Sequence, residues 1–327
     1  MRIRSAALSQ RKVYARTSGL VALLGATALG LSACAHHLPP VPSVAQPSVA
    51  STFMAATANP MASRAASDVL AKGGSAVDAA IAAQMVLAVV EPQASGLGGG
   101  STILYWDRGA GSLSFFDGLA SAPMRMPRDF MHDQNGVRIP EAKLQRSGRV
   151  VGVPGTLRTL ALLHDRYGKL PWADLFQPAI AAARDGFPLA GYLHLVLTER
   201  PELAHEPQFA AYFDAEGQPL PKGTLLHNAA LAGTLEQVAR QGAEYFYTGD
   251  FAKKLSAAVA SGPYPGTLTP ADLKAYKVHE RTPLCVTAFN RRICSSAPPV
   301  AGGLSVLQHL AIVDRLKIGQ YAPGSVE

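Results

Sequence analysis

The stretch from Gly73 to Pro123 constrains the fold of this chain more than any other, because several structural signals follow one another in it without a break. The glycine pair at 73–74 is typical of a helix end, and Ser75 is a good N-cap residue for a second helix. Pro92 then ends that helix. The predicted helix over 75–90 carries small side chains that let another element pack very close: Ala76, Ala79, Ala80, Ala82 and Ala83. We therefore predict that this helix is buried.

A glycine-rich loop and a β-hairpin follow this helix. Four glycines in the five positions 96–100 indicate positive φ angles or close contact with another segment. Two strand-like runs, 101–107 and 112–117, are joined by a short turn. A phosphate-binding glycine loop would follow a strand and begin a helix, which is the opposite order, and Ser95 is not in a nucleophile-elbow motif.

The first residues resemble a bacterial export signal. Residues 1–33 carry five basic residues and no acid, and their apolar run from 19 to 31 is too short to span a bilayer. The sequence Leu31-Ser32-Ala33-Cys34 resembles a lipobox, so we expect Cys34 to be the lipidated first residue of a mature protein in the periplasm or cell envelope. The alternative is an ordinary secretory peptide cleaved after a nearby alanine. Proline-rich residues 34–50 then form a tether, and 51–327 form the folded region.

Charge and histidine spacing argue against several other functions. The formal charge of +7 falls to +2 without residues 1–33, so no basic patch indicates nucleic-acid binding, and membrane contact is expected only through Cys34. The nine histidines show no metal-ligand spacing. We expect neither a metal nor another cofactor. Glu91 is interpreted as a structural carboxylate that accepts backbone N–H groups.

The remaining chain reads as helices with well-separated strands, which is typical of an α/β or α+β domain. Strand-like character is predicted for 149–153, and 127–145 is predicted to be an irregular surface segment. We predict a hairpin over 282–293 and a helical arm over 191–213. Further helices are predicted over 61–72, 156–167, 171–184, 228–242, 250–262, from Pro270 with Thr269 as N-cap, and over 304–316.

Several motifs occur in one order that resembles a known family. They include GGSAVDAA, VVEPQASGLGGG, FDGLASAP, VGVPGTL, YGKLPWADLFQPAI, LTPADLKAYKV and APPVAGGLSVLQ, and they run from about Met54 to about Val313. This order resembles the large-subunit region of γ-glutamyltranspeptidases, which hydrolyse glutathione and belong to the N-terminal-nucleophile hydrolases. The resemblance implies the αββα sandwich of that class, incomplete in this chain. It also implies that the hairpin and the helix over 75–90 pack on elements of the missing part.

The resemblance implies a chemistry whose nucleophile lies outside this chain. In the family, the N-terminal Thr of a smaller subunit attacks a γ-glutamyl carbonyl with its own amine as base. That motif would lie beyond residues 325–327, so no catalytic residue maps onto this sequence. The expected partners are a complementary small subunit, or a missing C-terminal half, and a γ-glutamyl or other acyl amide. The alternative is a non-catalytic truncated remnant or binding module.

One substrate-binding position of the family maps onto this chain and departs from the family pattern. The family usually has FDGRETAP, in which Arg pairs with the substrate α-carboxylate, whereas this chain has Leu119 and Ala120 in place of Arg and Glu. A leucine cannot form a bidentate charged pair. The resemblance therefore predicts an apolar pocket edge at these residues, by drift or by altered acyl specificity.

The two cysteines of the folded region flank a predicted hairpin. A turn at Phe289-Asn290 would place Cys285 opposite Cys294, whereas a turn at Asn290-Arg291 would offset them by two residues. The resemblance favours the second turn, because family members usually carry glycine where Arg291 stands. We therefore expect two buried free thiols, with a disulfide as the alternative.

Overall fold

The computed structural model describes residues 49–322 and 324–326, and the chain from Thr52 onward forms one compact unit. The predicted signal segment, Cys34 and most of the proline-rich tether lie outside the described residues. The helices and strands of this unit, together with short 3₁₀ turns, give an α+β fold.

Two helices at the start of the unit form the centre of its core. Helix α1 spans Pro60–Ala71 and helix α2 spans Ala76–Val90. Gly73 between them has a φ of 86°, which favours glycine. The predicted N-cap at Ser75 is confirmed and is part of a capping box, because the Ser75 hydroxyl accepts from the Asp78 N–H and the Asp78 carboxylate accepts from the Ser75 N–H.

Helix α2 is enclosed by other helices of the same chain. Eleven of its fifteen residues are buried, and its closest neighbours are α1, the 3₁₀ turn Trp172–Phe176, helix α4 (Thr156–Tyr167) and helix α5 (Gln177–Asp185). The prediction of a buried helix is confirmed. The expectation that its apolar face packs on a missing part is wrong, since these helices already cover it.

The predicted hairpin is confirmed and carries a third strand. Strand β1 (Ser101–Asp107) pairs antiparallel with β2 (Ser112–Gly118), and β2 pairs antiparallel with β5 (His279–Arg281). Strand β5 is far away in sequence, and the register places Asp117 opposite His279. The buried side chain of Phe116 belongs to the main hydrophobic core and attaches this sheet to the rest of the unit.

The remaining elements follow the predicted order closely. The short helix α3 is Glu141–Leu144, and strands β3 and β4 are Phe187–Pro188 and Leu225–Leu226. The arm over 191–213 contains helix α6 (Gly191–Glu199) and two 3₁₀ turns. The later helices are α7 Ala229–Gln241, α8 Glu244–Tyr247, α9 Gly249–Val259, α10 Pro270–Ala275 and α11 Ala301–Arg315, and α11 packs on strands β6 (Leu284–Ala288) and β7 (Arg291–Ser295).

One predicted element is wrong, and another is confirmed only in part. Residues 149–153 do not form a strand: a 3₁₀ turn spans Gly148–Val150, and Val153 makes a single bridge to Ser121. Gly148 packs against the Val259 carbonyl, where a Cβ would overlap it, and the chain turns at this contact. The helix predicted over 171–184 is divided into the 3₁₀ turn Trp172–Phe176 and helix α5.

The expectation of two free, buried cysteines is also wrong. The turn of the β6–β7 hairpin is Phe289-Asn290, with φ angles of 52° and 54°, and this register places Cys285 opposite Cys294. The two residues form a disulfide and are only partly buried. A two-residue turn with both φ angles positive matches the twist of the strands, and asparagine tolerates that conformation. This local preference determines the register without the glycine that the family usually has.

The glycine loop is less constrained than its composition indicates. Gly100 is required, because a Cβ there would lie 2.5 Å from the Ala120 nitrogen. Gly96, Gly98 and Gly99 have no positive φ and would have nothing within 4 Å of a Cβ. The expectation is wrong for Gly96 and Gly98, whereas the Gly99 backbone does contact another segment, since its carbonyl accepts from the N–H groups of Gly155 and Thr156.

Glu91 is structural, as predicted, but its partners are side chains. Its carboxylate accepts from the Asn59 amide at 2.7 Å and from the Gln93 amide at 2.6 Å. Both residues Asn59 and Glu91 are buried, so this contact joins the start of α1 to the end of α2.

Candidate substrate groove

The segment after strand β2 contains both of the site residues predicted from the sequence, Leu119 and Ala120. The segment starts from Gly118, where a Cβ would overlap the side chain of the buried Thr159 on α4. It also contacts the glycine loop, whose Gly99 carbonyl accepts from the N–H groups at the start of α4. The conformation of the segment is therefore determined by packing against α4 and the loop.

A buried carboxylate orders the backbone at Leu119. The Leu119 N–H donates to Asp117 Oδ1 at 3.2 Å, and Arg281 Nε donates to Asp117 Oδ2 at 2.8 Å. Asp117 is buried, whereas the Arg281 side chain is partly exposed. A buried carboxylate needs such partners to offset its lost hydration. Asp117 thus connects the turn at residue 119 with strand β5.

Tyr276 fixes the carbonyl of the same residue. Its hydroxyl donates to the Leu119 carbonyl at 2.8 Å. Burial, with a further contribution from the nearby Asp117 charge, raises the pKa of Tyr276 to about 12. The phenol therefore stays protonated near neutral pH and remains a donor to this carbonyl.

Two further contacts hold the rest of the segment. Ser121 and Val153 exchange backbone hydrogen bonds of 3.2 and 2.7 Å. The Met124 N–H donates to Asp272 Oδ1 at 2.9 Å. Asp272 lies in the capping box of α10, where its other oxygen accepts from the Thr269 N–H and hydroxyl.

Several opposing forces set the charge state of Asp272. Burial raises its pKa, but hydrogen bonds from the Thr269 side chain and from the Met124 and Thr269 N–H groups outweigh burial, with Arg125 adding attraction. The pKa of Asp272 is consequently below its ordinary value, and the group is ionised at neutral pH.

These elements enclose an open groove of about 730 Å³ with an apolar edge and a cationic wall. Leu119, which is 38% exposed, and Ala120 form the apolar edge. The wall carries three exposed nitrogen-containing side chains: Lys277, His279 and Arg281. The remaining lining residues include Asp117, Ser121, Ala122, Met124, Val153, Asp272, Ala275, Tyr276 and Pro299.

A larger cavity of about 1140 Å³ lies between α4 and α7 and contains neither of the predicted site residues. Its walls share only Tyr276 and Lys277 with the groove. We place the candidate site in the smaller groove, because that groove contains the segment 117–124 and its ordered backbone.

The sequence predicted the residues at the edge of the groove but not the residues that hold this edge in place. Asp117 lies within the FDG motif, but its partner Arg281 and the Tyr276 hydroxyl that holds the Leu119 carbonyl are more than 150 residues away. No local spacing joins these positions. The N-cap at Thr269 was predicted, whereas the role of Asp272 as the acceptor that holds Met124 was not.

Within the part of the chain that the structure describes, no cluster of three or more His, Cys, Asp or Glu side chains could hold a metal ion. Over the same residues, no helix combines the length and apolar character that crossing a membrane requires.

Comparisons with known proteins identify the family. The family model described as Gamma-glutamyltranspeptidase matches residues 62–327. The glutathione hydrolase proenzyme of Bacillus subtilis is 35% identical over 268 residues, which are 82% of this chain and 45% of that protein. The acylase ACY 1 proenzyme of Pseudomonas sp. (strain V22) is 33% identical over 302 residues, covering 88% of this chain and 53% of that protein.

A solved structure agrees with these relatives. The γ-glutamyltranspeptidase of Helicobacter pylori superposes with a TM-score of 0.78 at 28% identity, over 86% of this chain and 80% of that chain. This likeness confirms the predicted N-terminal-nucleophile hydrolase fold of mixed helices and strands. The chain spans about half the length of the curated relatives it matches. On the family model and these identities together, the chain belongs to the γ-glutamyltranspeptidase family.

Proposed function

We propose that this chain is the large-subunit portion of an amidohydrolase or acyltransferase that acts on γ-glutamyl or other acyl amides. The observation that carries the proposal is the family match over residues 62–327, which includes the ordered segment 117–124 beside an open groove. The groove contributes acyl-group binding to the reaction.

The nucleophile comes from a complementary part. The curated relatives are named proenzymes, and the matched region is about half of each of them. The nucleophile oxygen attacks the amide carbonyl, the C–N bond breaks, and the amine leaves with the nucleophile's proton. Water or an acceptor amine then takes the acyl group and restores the nucleophile.

The groove differs from the family pattern at one position that would contact the acyl group. Leu119 presents a partly exposed apolar side chain where the family usually has a guanidinium. Relatives of similar identity include a glutathione hydrolase and an acylase, so the family accommodates more than one acyl group. An acyl amide that needs no cation at residue 119 fits this groove best.

The protein is exported and attached to the cell envelope through lipidated Cys34. This proposal depends on the lipobox-like sequence at 31–34 and the basic, apolar segment before it. The proline-rich residues 34–50 then separate the folded unit from the membrane.

The test compares this chain alone with the chain co-expressed with the nucleophile-bearing polypeptide of its own gene region. Release of p-nitroaniline is measured from γ-glutamyl and other acyl p-nitroanilides. We expect turnover only in the assembled protein, and its loss when the nucleophile Thr of the second part is replaced by Ala.

Two results would contradict the proposal. An assembled, folded complex that cleaves none of these amides would leave only a binding role. Turnover by the chain alone, above a buffer blank and surviving repurification, would show that the nucleophile lies in this chain.

A further inference from the structure

Arg281 is the last residue of strand β5 and stands opposite Phe115 of β2 in the sheet register. Its Nε donates to the buried Asp117 at 2.8 Å, while 39% of its side chain remains exposed along the groove. The guanidinium is therefore held by Asp117 at one edge and exposed to solvent at the other.

The open edge of Arg281 has donors to spare. A guanidinium carries five N–H groups in a planar fork. Among the described residues, neither Nη1 nor Nη2 of Arg281 has a hydrogen-bond partner, since only Nε is engaged. The pair with Asp117 restricts the orientation of the fork before any ligand arrives, which reduces the entropy lost on binding.

The groove around this fork carries charges of both signs. Lys277 and His279 line the same groove. The two acidic residues of the lining are buried and already engaged, Asp117 by Arg281 and Leu119, and Asp272 by Met124 and Thr269. Both carboxylates keep their charge but already accept hydrogen bonds from other groups, and neither pairs with the Nη groups of Arg281 among the described residues.

Arg281 is also close to residue 119. One carboxylate, that of Asp117, accepts from the Leu119 backbone with one oxygen and from Arg281 with the other. The apolar edge at Leu119 and Ala120 and the Arg281 guanidinium therefore line the same groove, on either side of this carboxylate.

We infer that Arg281 is the specificity-determining residue of this groove and binds the carboxylate of an anionic acyl group. Asp117 acts as the positioning residue for the guanidinium, and Leu119 and Ala120 contact the methylene groups of the acyl chain. This inference rests on the proposed function, because it names the acyl class that the groove would accept.

The test measures equilibrium binding of glutarate and of its neutral isostere glutaramide. The protein is the full chain, alone or with its complementary part, whichever preparation is monodisperse, and calorimetry at low ionic strength gives the affinities. We expect glutarate to bind at least about tenfold more tightly than glutaramide, and Arg281→Gln to remove that difference, because a bidentate charged pair is lost.

Two further variants separate recognition from folding. Arg281→Lys keeps a cation beside Asp117, so the fold is retained, but it loses the fork, and we expect glutarate affinity to fall several-fold. Arg200→Gln is the matched control: Arg200 Nε pairs with Glu202 at 2.7 Å and its side chain is 43% exposed, but it does not line the groove. Its glutarate affinity should equal that of the wild type.

Three outcomes would overturn the inference. They are equal affinity for glutarate and glutaramide, wild-type affinity in Arg281→Lys, or a loss in Lys277→Gln while Arg281→Lys is unaffected. Amide cleavage by the assembled protein without selective glutarate binding would overturn this inference and leave the proposed function standing. Selective glutarate binding without any amide cleavage would overturn the proposed function and leave this inference standing.

Discussion

At residue 119 the structure separates the role of the backbone from that of the side chain. Asp117 and Tyr276 hold the N–H and the carbonyl, whereas the leucine side chain points into an open groove and is held by neither bond. A substitution here should therefore change what the groove binds and leave the turn intact.

We expect Leu119→Arg to raise turnover of γ-glutamyl p-nitroanilide in the assembled protein, mainly by lowering KM about tenfold, because it adds a guanidinium for the α-carboxylate. Leu119→Met is the control for an uncharged side chain of similar volume and should leave KM unchanged. A KM that is indifferent to Leu119→Arg, measured by initial rates, would remove this residue from the substrate site.

Cys34 carries a prediction that concerns the attachment of the protein. Cys34→Ala removes the thiol that a lipid would modify, so we expect the protein to leave the membrane fraction or remain unprocessed. Metabolic labelling with a fatty acid, followed by fractionation, checks this. An unlabelled wild-type protein would contradict the lipoprotein hypothesis and favour an ordinary secretory signal peptide.

The residue scale also shows where sequence reasoning stops. Leu119 and Ala120 could be located because a contiguous motif surrounds them. Arg281 and Tyr276 could not, because their contacts with this motif depend on how strand β5 and helix α10 fold back onto it. Nothing within ten residues of either side chain indicates that contact.

At the scale of elements, local signals predicted what local forces determine. The helix starts at Ser75 and Thr269 were predictable, because a capping box involves residues three positions apart. The turn at Gly148–Val150 was not, because its cause is packing against Val259. The sequence Phe289-Asn290 was a local indication of the β6–β7 turn. The prediction followed the family pattern instead, and it placed the turn one residue too late.

Helix α10 gives a prediction about pH, because its capping residue Asp272 also holds Met124. The folded-state pKa of Asp272 is lowered, so its contribution to the free energy of unfolding is complete above the unfolded-state pKa and is lost as pH falls through the folded-state value. We expect Asp272→Asn to reduce the free energy of unfolding by about 1 to 2 kcal/mol at pH 7, with the difference shrinking below about pH 4.

Urea unfolding at pH 7 and at pH 3 measures both quantities. Asp250→Asn is the control, because Asp250 is exposed in the first turn of α9 and, among residues 49–322 and 324–326, pairs only with Lys253. It should change stability by less than about 0.5 kcal/mol at either pH. The same difference between Asp272→Asn and wild type at pH 3 as at pH 7 would contradict the assignment.

At the scale of the whole molecule, some apolar faces are covered within the chain and others are exposed to solvent. Helix α2 and the inner face of strand β2 are covered within the chain. The outer side of β1 is not covered and exposes Leu104 and Trp106. Most of α11 is also exposed, including Leu304, Val306 and Ile312. Strand β1 is also an edge strand of its sheet, with unpaired backbone groups that favour association.

We expect residues 51–327 expressed alone to bind a hydrophobic dye strongly or to aggregate, and to become soluble when a matching complementary part is co-expressed. Each large apolar side chain left in water forgoes roughly 1.5 to 3 kcal/mol, and a whole domain is stable by only about 5 to 15 kcal/mol.

The double variant Leu104→Thr/Trp106→Thr should reduce dye binding, because it removes apolar surface from an edge strand while keeping β propensity. Tyr192→Ser/Leu195→Ser, at exposed positions of α6, is the matched control and should not. A monodisperse wild-type monomer with a sharp cooperative melt and no dye binding would show that the unit closes its own core and that β1 needs no partner.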